Sequence, residues 1–292
     1  MRKLILSAFL IFCCYRGIGQ SNTSKIDSLK KIINNKPATD SNHIKALLNL
    51  SFAIIYESPN EAMKYADEAL NAALKLNWER GIAPSYRQKA AVYYVLSDNM
   101  NSLEYSLKAL KSGEGLKNKL FDAVVYNNIA NIYADFKQYS KALEYYYRLL
   151  NSAESVNNNV YILLALVNIG NVYTETNDLQ KGLAYFEKAL KIAKEEGDQS
   201  IVVAVLNNLG KVNDKMGNLS ISIEYYKQAI ALSDSARNIN IKADALNNLS
   251  IVYFKLENYS EALKLSEGSL ALSKEIGDIN WQGNAWQTLS DI

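Results

Sequence analysis

One stretch of this chain is written four times at a fixed interval. Val124–Leu143 reads VVYNNIANIYADFKQYSKAL, and forty residues later Leu164–Leu183 reads LALVNIGNVYTETNDLQKGL. The next two copies are AVLNNLGKVNDKMGNLSISI at Ala204–Ile223 and DALNNLSIVYFKLENYSEAL at Asp244–Leu263. A period of this length constrains the fold more than total length does, because repeat arrays grow one supersecondary unit at a time. The 292 residues would otherwise suggest about two globular domains.

Small residues keep the period. Ala62, Ser102, Ala142, Gly182, Ser222 and Ala262 are forty apart without a slip, and seven residues on lie Ala69, Ala109, Leu149, Ala189, Ala229 and Ser269. Residues seven apart share a helix face, so a small side chain there lets another backbone approach. In the first half of each unit the column is Ala90, Ala130, Gly170, Gly210, Ser250 and Ser290. Ser51 stands thirty-nine before Ala90, which puts a one-residue deletion in the first unit, near the turn at Pro59.

Apolar residues recur at helical spacing in both halves: Leu246, Leu249, Val252, Tyr253 and Leu256, then Tyr259, Ala262, Leu263, Leu265, Leu270 and Leu272. Polar turns separate them at Asn177-Asp178, Gly217-Asn218 and Glu257-Asn258. Units close on Asn157-Asn158, Gly197-Asp198, Asn238 and Gly277-Asp278, where Gly or Asn accepts the left-handed conformation and Asp or Asn caps the next helix. Each unit is therefore helix, turn, helix, loop. The expected units are 42–80, 81–120, 121–160, 161–200, 201–240 and 241–280, with a partial unit at 281–292. Residues 20–41 form a leading segment in which Ser24–Asn35 caps the first unit. Gly numbers 13 and Pro only 3, which suits an all-α chain.

The start of the chain is different. Arg2 and Lys3 precede an apolar run from Leu4 to Cys14, and Gly17-Ile18-Gly19 supplies small residues before Gln20, the layout of a signal peptide over residues 1–19. The run is far shorter than the ~20 residues a membrane helix needs. Both cysteines, Cys13 and Cys14, fall inside it. Cleavage removes Arg2, Lys3 and Arg16 and turns a net charge of +2 into −1, so no electrostatic nucleic-acid binder is expected. No later segment is apolar enough for stable membrane insertion. The expected location is the periplasm or exterior of a bacterium.

The pattern LNNLG-x-V-Y … GN-x-x-x-A-x-x-YY-x-x-AL resembles the tetratricopeptide repeat in its forty-residue form, from Asn42 to the C-terminus. Gly210, Ala262 and Ala229 match the family's small positions, and Tyr133, Tyr173 and Tyr253 its first-helix aromatic. Lys89, Asn213 and Leu149 depart from the pattern, which implies looser packing in units two and five. The resemblance implies a right-handed superhelical solenoid whose first helices line a concave groove for a partner's peptide or helix. It also implies a likeness to the sensor portions of bacterial signalling proteins.

A second stripe on each first helix carries the candidate site: Arg87, Gln88, Asn127, Asn128, Asn131, Asn168, Asn171, Asn207, Asn208, Lys211, Asn247 and Asn248. A side-chain amide offers both donors and acceptors, so a ladder of them suits an extended peptide backbone. The alternative is that they bond neighbouring helices and tie units together. Val124, Val167, Ile251 and Phe254 lie beside the stripe as anchors or as core, with core favoured for Val124.

Catalysis is not expected. The chain has 20 tyrosines, among them Tyr145-Tyr146-Tyr147 and Tyr225-Tyr226, at helical spacing that points to packing rather than base stacking. His43 is the only histidine and, without cysteines in the mature chain, builds no zinc site. It also has no identifiable nucleophile near it. Gly113-Glu114-Gly115 follows a helix rather than a strand and is no dinucleotide fingerprint. No cofactor is expected. Trp281 and Trp286 leave the last partial unit with an apolar face, read as a docking or dimerisation surface or as the edge of a longer protein. Two functions follow. One is a non-catalytic exported scaffold binding a protein or peptide. The other is the N-terminal sensor region of an envelope signalling protein, a histidine kinase or transcriptional regulator, without its membrane helix and output domain.

Overall fold

The computed structural model describes residues 19–35, 40–236 and 238–292, with the side chains of 19–23 and 280 left out. The signal-peptide reading falls on residues outside this range, apart from Gly19. Fourteen α-helices and no strand are found among the described residues. They are α1 (Gly19–Asn35), α2 (Ser41–Ile54), α3 (Pro59–Lys75), α4 (Glu79–Val95), α5 (Asn99–Gly113), α6 (Lys119–Asp135) and α7 (Tyr139–Glu154). Then follow α8 (Asn159–Glu175), α9 (Leu179–Glu196), α10 (Gln199–Lys215), α11 (Leu219–Ser233), α12 (Ile239–Lys255), α13 (Tyr259–Ile276) and α14 (Ile279–Asp291). The fold is an all-α series of helical hairpins, in which even-numbered helices are the first of each pair. Two compact units divide inside α8, one ending at Ala165 and the other beginning at Leu166.

Turns come every twenty residues, and the backbone explains the spacing. Asn77, Ser97, Lys117, Lys137, Asn157, Asn177, Gly197, Gly217, Glu257 and Gly277 all have positive φ. A left-handed residue reverses the chain after each helix, and only three of the ten are the glycines that adopt it freely. The next helix is then capped: Asp198 Oδ1 accepts from the N–H groups of Ser200 and Ile201 at 3.0 and 3.1 Å, and Asp278 Oδ1 from Trp281 at 3.0 Å. The first hairpin lacks a left-handed residue. Its turn at 55–58 closes instead through Ser58 N–H to Ile54 O at 2.8 Å, which accounts for the deletion. Pro59 is not in that turn but is the first helical residue, where a missing N–H costs nothing.

In the first unit, α1 covers the first hairpin: Leu29 is buried with Leu50, Ile54 and Ala62. Each second helix buries a narrow stripe at 4-3-4 spacing, such as Ala62, Ala66, Ala69 and Ala73 on α3, or Ser102, Ser106, Ala109 and Gly113 on α5. In the second unit the stripe runs Gly182, Phe186, Ala189, Ala193 on α9 and Ser222, Tyr226, Ala229, Ser233 on α11. Hairpins cross at the small columns. Ser102 Oγ donates to Ala90 O and Ser222 Oγ to Gly210 O, both at 2.8 Å. A Cβ on Gly210 would lie 2.6 Å from the Tyr226 ring, and one on Gly170 2.7 Å from Phe186, so glycine makes room for the ring opposite.

The narrowness of the stripe corrects one expectation. Tyr259 and Leu263 are exposed, and α13 buries Ala262, Ser266, Ser269, Leu270 and Ser273 instead. Small serines bond back to the helix backbone, as Ser273 Oγ does to Ser269 O at 2.8 Å, and this lets polar residues occupy the contact. The departures from the repeat pattern are also accommodated. Lys89 is buried against the Tyr105 ring, 4.5 Å from its centroid, and pairs with Asp67. Asn213 is buried and donates to Leu209 O at 2.9 Å while accepting from Asn218. Leu149 is fully buried.

The tyrosines pack within hairpins. Tyr93–Tyr105, Tyr133–Tyr145 and Tyr173–Tyr185 stack at centroid distances of 5.3, 5.7 and 5.7 Å. Lys141 and Lys181 sit over the rings of Tyr133 and Tyr173. Such pairs prefer offset geometry and add to the area they bury.

Candidate functional site

Neighbouring first helices within a unit are linked by bonds at nearly constant sequence offset. In the first unit Gln88 Nε2 donates to Ser51 Oγ at 3.1 Å, thirty-seven residues back. In the second, Asn207 Nδ2 donates to Asp244 Oδ2 at 2.7 Å (offset 37) and Lys211 Nζ to Glu175 Oε1 at 3.1 Å (offset 36). Lys255 Nζ reaches Asp214 Oδ1 at 2.6 Å and Thr288 Oγ1 donates to Asn247 Oδ1 at 3.1 Å, both at offset 41. Offsets of 36, 37 and 41 bracket the period by one helical turn. That is the pattern of side-by-side helices running the same way with one repeat between equivalent residues.

The candidate stripe divides on this geometry. In the first unit, Gln88, Asn127 and Asn131 are buried, whereas Arg87 and Asn128 are half-buried. Asn131 Oδ1 accepts from the Tyr146 hydroxyl at 2.7 Å. In the second unit, Asn168, Asn207, Asn208 and Asn247 are buried, and Asn171, Lys211 and Asn248 half-buried. Asn207, Asn247, Asn248 and Lys211 are therefore engaged between repeats, with Asn248 Nδ2 reaching Asp244 Oδ2 at 3.2 Å and Asn207 Oδ1 at 3.5 Å. Asn208 is different: it is 3% exposed, and its Nδ2 is closed off from solvent with no hydrogen-bond partner. Arg87 shares that property at Nε. Of the apolar neighbours, Val167 is buried and Val124, Ile251 and Phe254 are half-buried.

The carboxylates in this arrangement escape a reading that looks only for amides. Asp135 and Glu175 stand four residues after Asn131 and Asn171, and Lys215 and Lys255 continue their column forty and eighty residues beyond Glu175. A column that changes sign along the array is the legible signal. Lys215 Nζ lies 3.7 Å from Glu175 Oε1 and bonds Thr174 O at 3.1 Å. Removal from water opposes ionisation of Glu175, but Lys211 and Lys215 together hold its carboxyl below the ordinary value. Asp244 goes the other way: burial raises it, against the bond from Asn207, the charge of Lys211 and the bond from Asn248. Burial and the facing Asp135 carboxylate push the Tyr94 hydroxyl up as well.

His43 is buried between α2 and α3, with Nε2 3.5 Å from Glu68 Oε1. Among the described residues, no group of three or more His, Cys, Asp or Glu side chains could hold a metal ion, and no helix is long and apolar enough to cross a membrane. On α14, Ala285 and Thr288 are buried and Trp281 is half-buried, while Trp286 is 55% exposed beneath the ammonium of Lys274 and Ile279 is 81% exposed.

The hairpins and their regular cross-repeat bonds define a helical-repeat scaffold. Tetratricopeptide repeat models match residues 81–155, 161–235 and 243–276, and the chain belongs to the tetratricopeptide repeat family. No curated protein sequence matches it. Among solved structures, the apo form of the quorum sensor NprR from B. thuringiensis is similar at a TM-score of 0.71 and 16% identity, covering 93% of this chain and 81% of NprR. NprR in complex with its cognate peptide NprX gives a TM-score of 0.66 at 16% identity, over 93% and 83% of the two chains. The apo form of RapI gives 0.65 at 17% identity, over 85% and 96%. These likenesses are of fold.

Proposed function

We propose that this chain is a non-catalytic, exported scaffold that binds a peptide or an extended protein segment along its first helices. The observation that carries the reading is Asn208, a buried side-chain amide whose donor has no acceptor in the protein. An unmet donor shut off from water is costly, so a turn of the side chain that brings Nδ2 to a peptide carbonyl is favoured. Asn168 and Asn248 stand one period before and after it, so that amides recur along the face an extended backbone would follow. Backbone recognition makes little demand on the ligand's side chains. The similar NprR structure holding a peptide supports this reading. Export rests on the leader-like residues 1–19.

A second reading is that the array is the sensor region of an envelope signalling protein. The likeness to a quorum sensor favours it. In both readings the repeats do the same physical work, and the sensor adds an output driven by occupancy.

The test is a screen of the full chain against a displayed random peptide library, followed by titration of a selected peptide into wild type and the Asn168→Ala/Asn208→Ala variant. Loss of affinity with a melting temperature within a few degrees of wild type is expected. Selection of no peptide, or equal affinity in the two proteins, contradicts the role.

A further inference from the structure

We infer that the open face of α14 seats an amphipathic helix supplied by another protein, which closes α14 as the second helix of each hairpin closes the first. The face lies on different repeat positions from the amide stripe, so the inference stands apart from the peptide-binding reading.

Three positions carry the argument. Gly283, Trp286 and Ser290 stand at i, i+3 and i+7 on α14, one face of a helix, and all three are exposed. One period earlier the same positions are Ala243, Leu246 and Ser250, and two periods earlier Val203, Leu206 and Gly210. Back to Ala83, Tyr86 and Ala90, the first and third positions are buried in every copy, and the middle one is buried or half-buried. The second helix of the same hairpin covers them. Ser102 Oγ donates to Ala90 O and Ser222 Oγ to Gly210 O. The rings of Tyr105 and Tyr145 lie 6.0 and 6.1 Å from those of Tyr86 and Tyr126, and a Cβ on Gly268 would lie 3.7 Å from Leu246 Cδ1. Ser269 Oγ donates to Ala243 O at 2.8 Å. Among the described residues nothing takes this place on α14, where a Cβ on Gly283 would meet nothing within 4 Å. The other side of α14 is already engaged: Ala285 and Thr288 are buried, and Ser266 Oγ of α13 donates to Ala285 O at 3.2 Å.

The covering residues define the occupant. On α5 they are Ser102, Tyr105 and Ala109, and on α13 Ala262, Leu265 and Ser269. The partner helix therefore carries two small residues seven apart, opposite Ser290 and Gly283, where the backbones approach. Between them it carries an apolar or aromatic side chain against the Trp286 indole, whose burial supplies a large apolar area. A second copy of this chain is not that partner. Its own Ala62, Ser102, Ala142, Gly182, Ser222 and Ala262 are all buried within hairpins, so it has no free second helix to give.

The test uses the full chain and, as a probe of such a helix, a synthetic peptide of Tyr259–Ile276, stapled on its outer face so that it is helical in water. The Trp286 indole N–H resonance, assigned by its loss in Trp286→Phe, is followed as peptide is added. A saturable shift is expected. The same peptide carrying Ala262→Leu and Ser269→Leu should bind about tenfold or more weakly, because both small contacts are overpacked. Ser290→Glu in the protein should weaken binding similarly, with a melting temperature within a few degrees of wild type. No shift with the first peptide, or equal binding of the two, overturns the inference. Sedimentation of the chain alone should show a monomer at micromolar concentration. A dimer that Ser290→Glu dissociates would mean that a second copy holds the face, and overturns it too. None of these readouts involves a groove peptide, so this inference and the peptide-binding reading fail separately.

Discussion

Asn207 Nδ2 donates to Asp244 Oδ2 at 2.7 Å, whereas the amide nitrogen of Asn208, the next residue, is buried without a partner. Adjacent residues on a helix point about 100° apart, so two identical side chains have been given different tasks. One ties neighbouring repeats and the other holds an unmet donor.

Single alanine substitutions should therefore diverge. Asn207→Ala removes the shorter of two bonds to a carboxylate and leaves Asp244 Oδ2 only the bond from Asn248, at a cost of about 2 kcal/mol. Asn208→Ala deletes an unsatisfied donor, which offsets the small cavity it opens, and should cost less, about 1 kcal/mol or below. Urea denaturation of the two variants checks this, and the opposite order would show that the assignment is reversed.

Asp244 gives a pH dependence with a defined sign. Its carboxyl is held above the ordinary range, chiefly by removal from water. The folded protein thus keeps that proton to higher pH than the unfolded chain does, and the stability due to this group falls as pH rises through the interval between the two values. Asp244→Asn preserves both acceptor contacts through Oδ1 and abolishes the titration. Stability of the variant relative to wild type should increase as the pH rises above about 4. A difference that does not change with pH contradicts the burial argument.

The small-residue stripe is tested by neighbours on α13. Ala262 is fully buried and Leu263 is exposed. Ala262→Leu should overpack the hairpin and destabilise by about 1–3 kcal/mol, while Leu263→Ala should change stability by no more than about 0.5 kcal/mol. Denaturation midpoints that rank the other way would put the helix in a different register.

Much of this was legible because the period is exact in number. The spacing of Ala62, Ser102, Ala142, Gly182, Ser222 and Ala262 placed the hairpin contacts, and Asn157, Gly197 and Gly277 placed the turns. Faces were harder. Tyr259 and Leu263 look like core by hydrophobicity, yet the stripe that meets the neighbouring helices is too narrow to include them. Whether Asn207 or Asn208 bonds the next repeat depends on the stagger between helices, which no single repeat encodes.

Lys89 shows how a departure from the repeat pattern is absorbed. Its stem is buried, its ammonium pairs with Asp67, and the Asp67 side chain remains 46% exposed. Lys89→Leu restores the apolar type usual at this position and leaves Asp67 in water, so it should fall within about 1 kcal/mol of wild type. Lys89→Ala loses the stem packing as well and should cost about 2 kcal/mol. Thermal melts of both variants decide the point, and a Leu variant as damaged as the Ala variant would mean that the ion pair is needed.

The central claim is that amides of the second unit's first helices, Asn208 foremost, bind a peptide backbone. Calorimetric titration of one selected peptide into wild type and Asn168→Ala/Asn208→Ala, with a thermal melt of each protein, tests it most directly. The account predicts an affinity lower by about tenfold or more and a melting temperature within a few degrees of wild type. An unchanged affinity with a large drop in melting temperature would contradict it and would return these residues to the task of holding the repeats together.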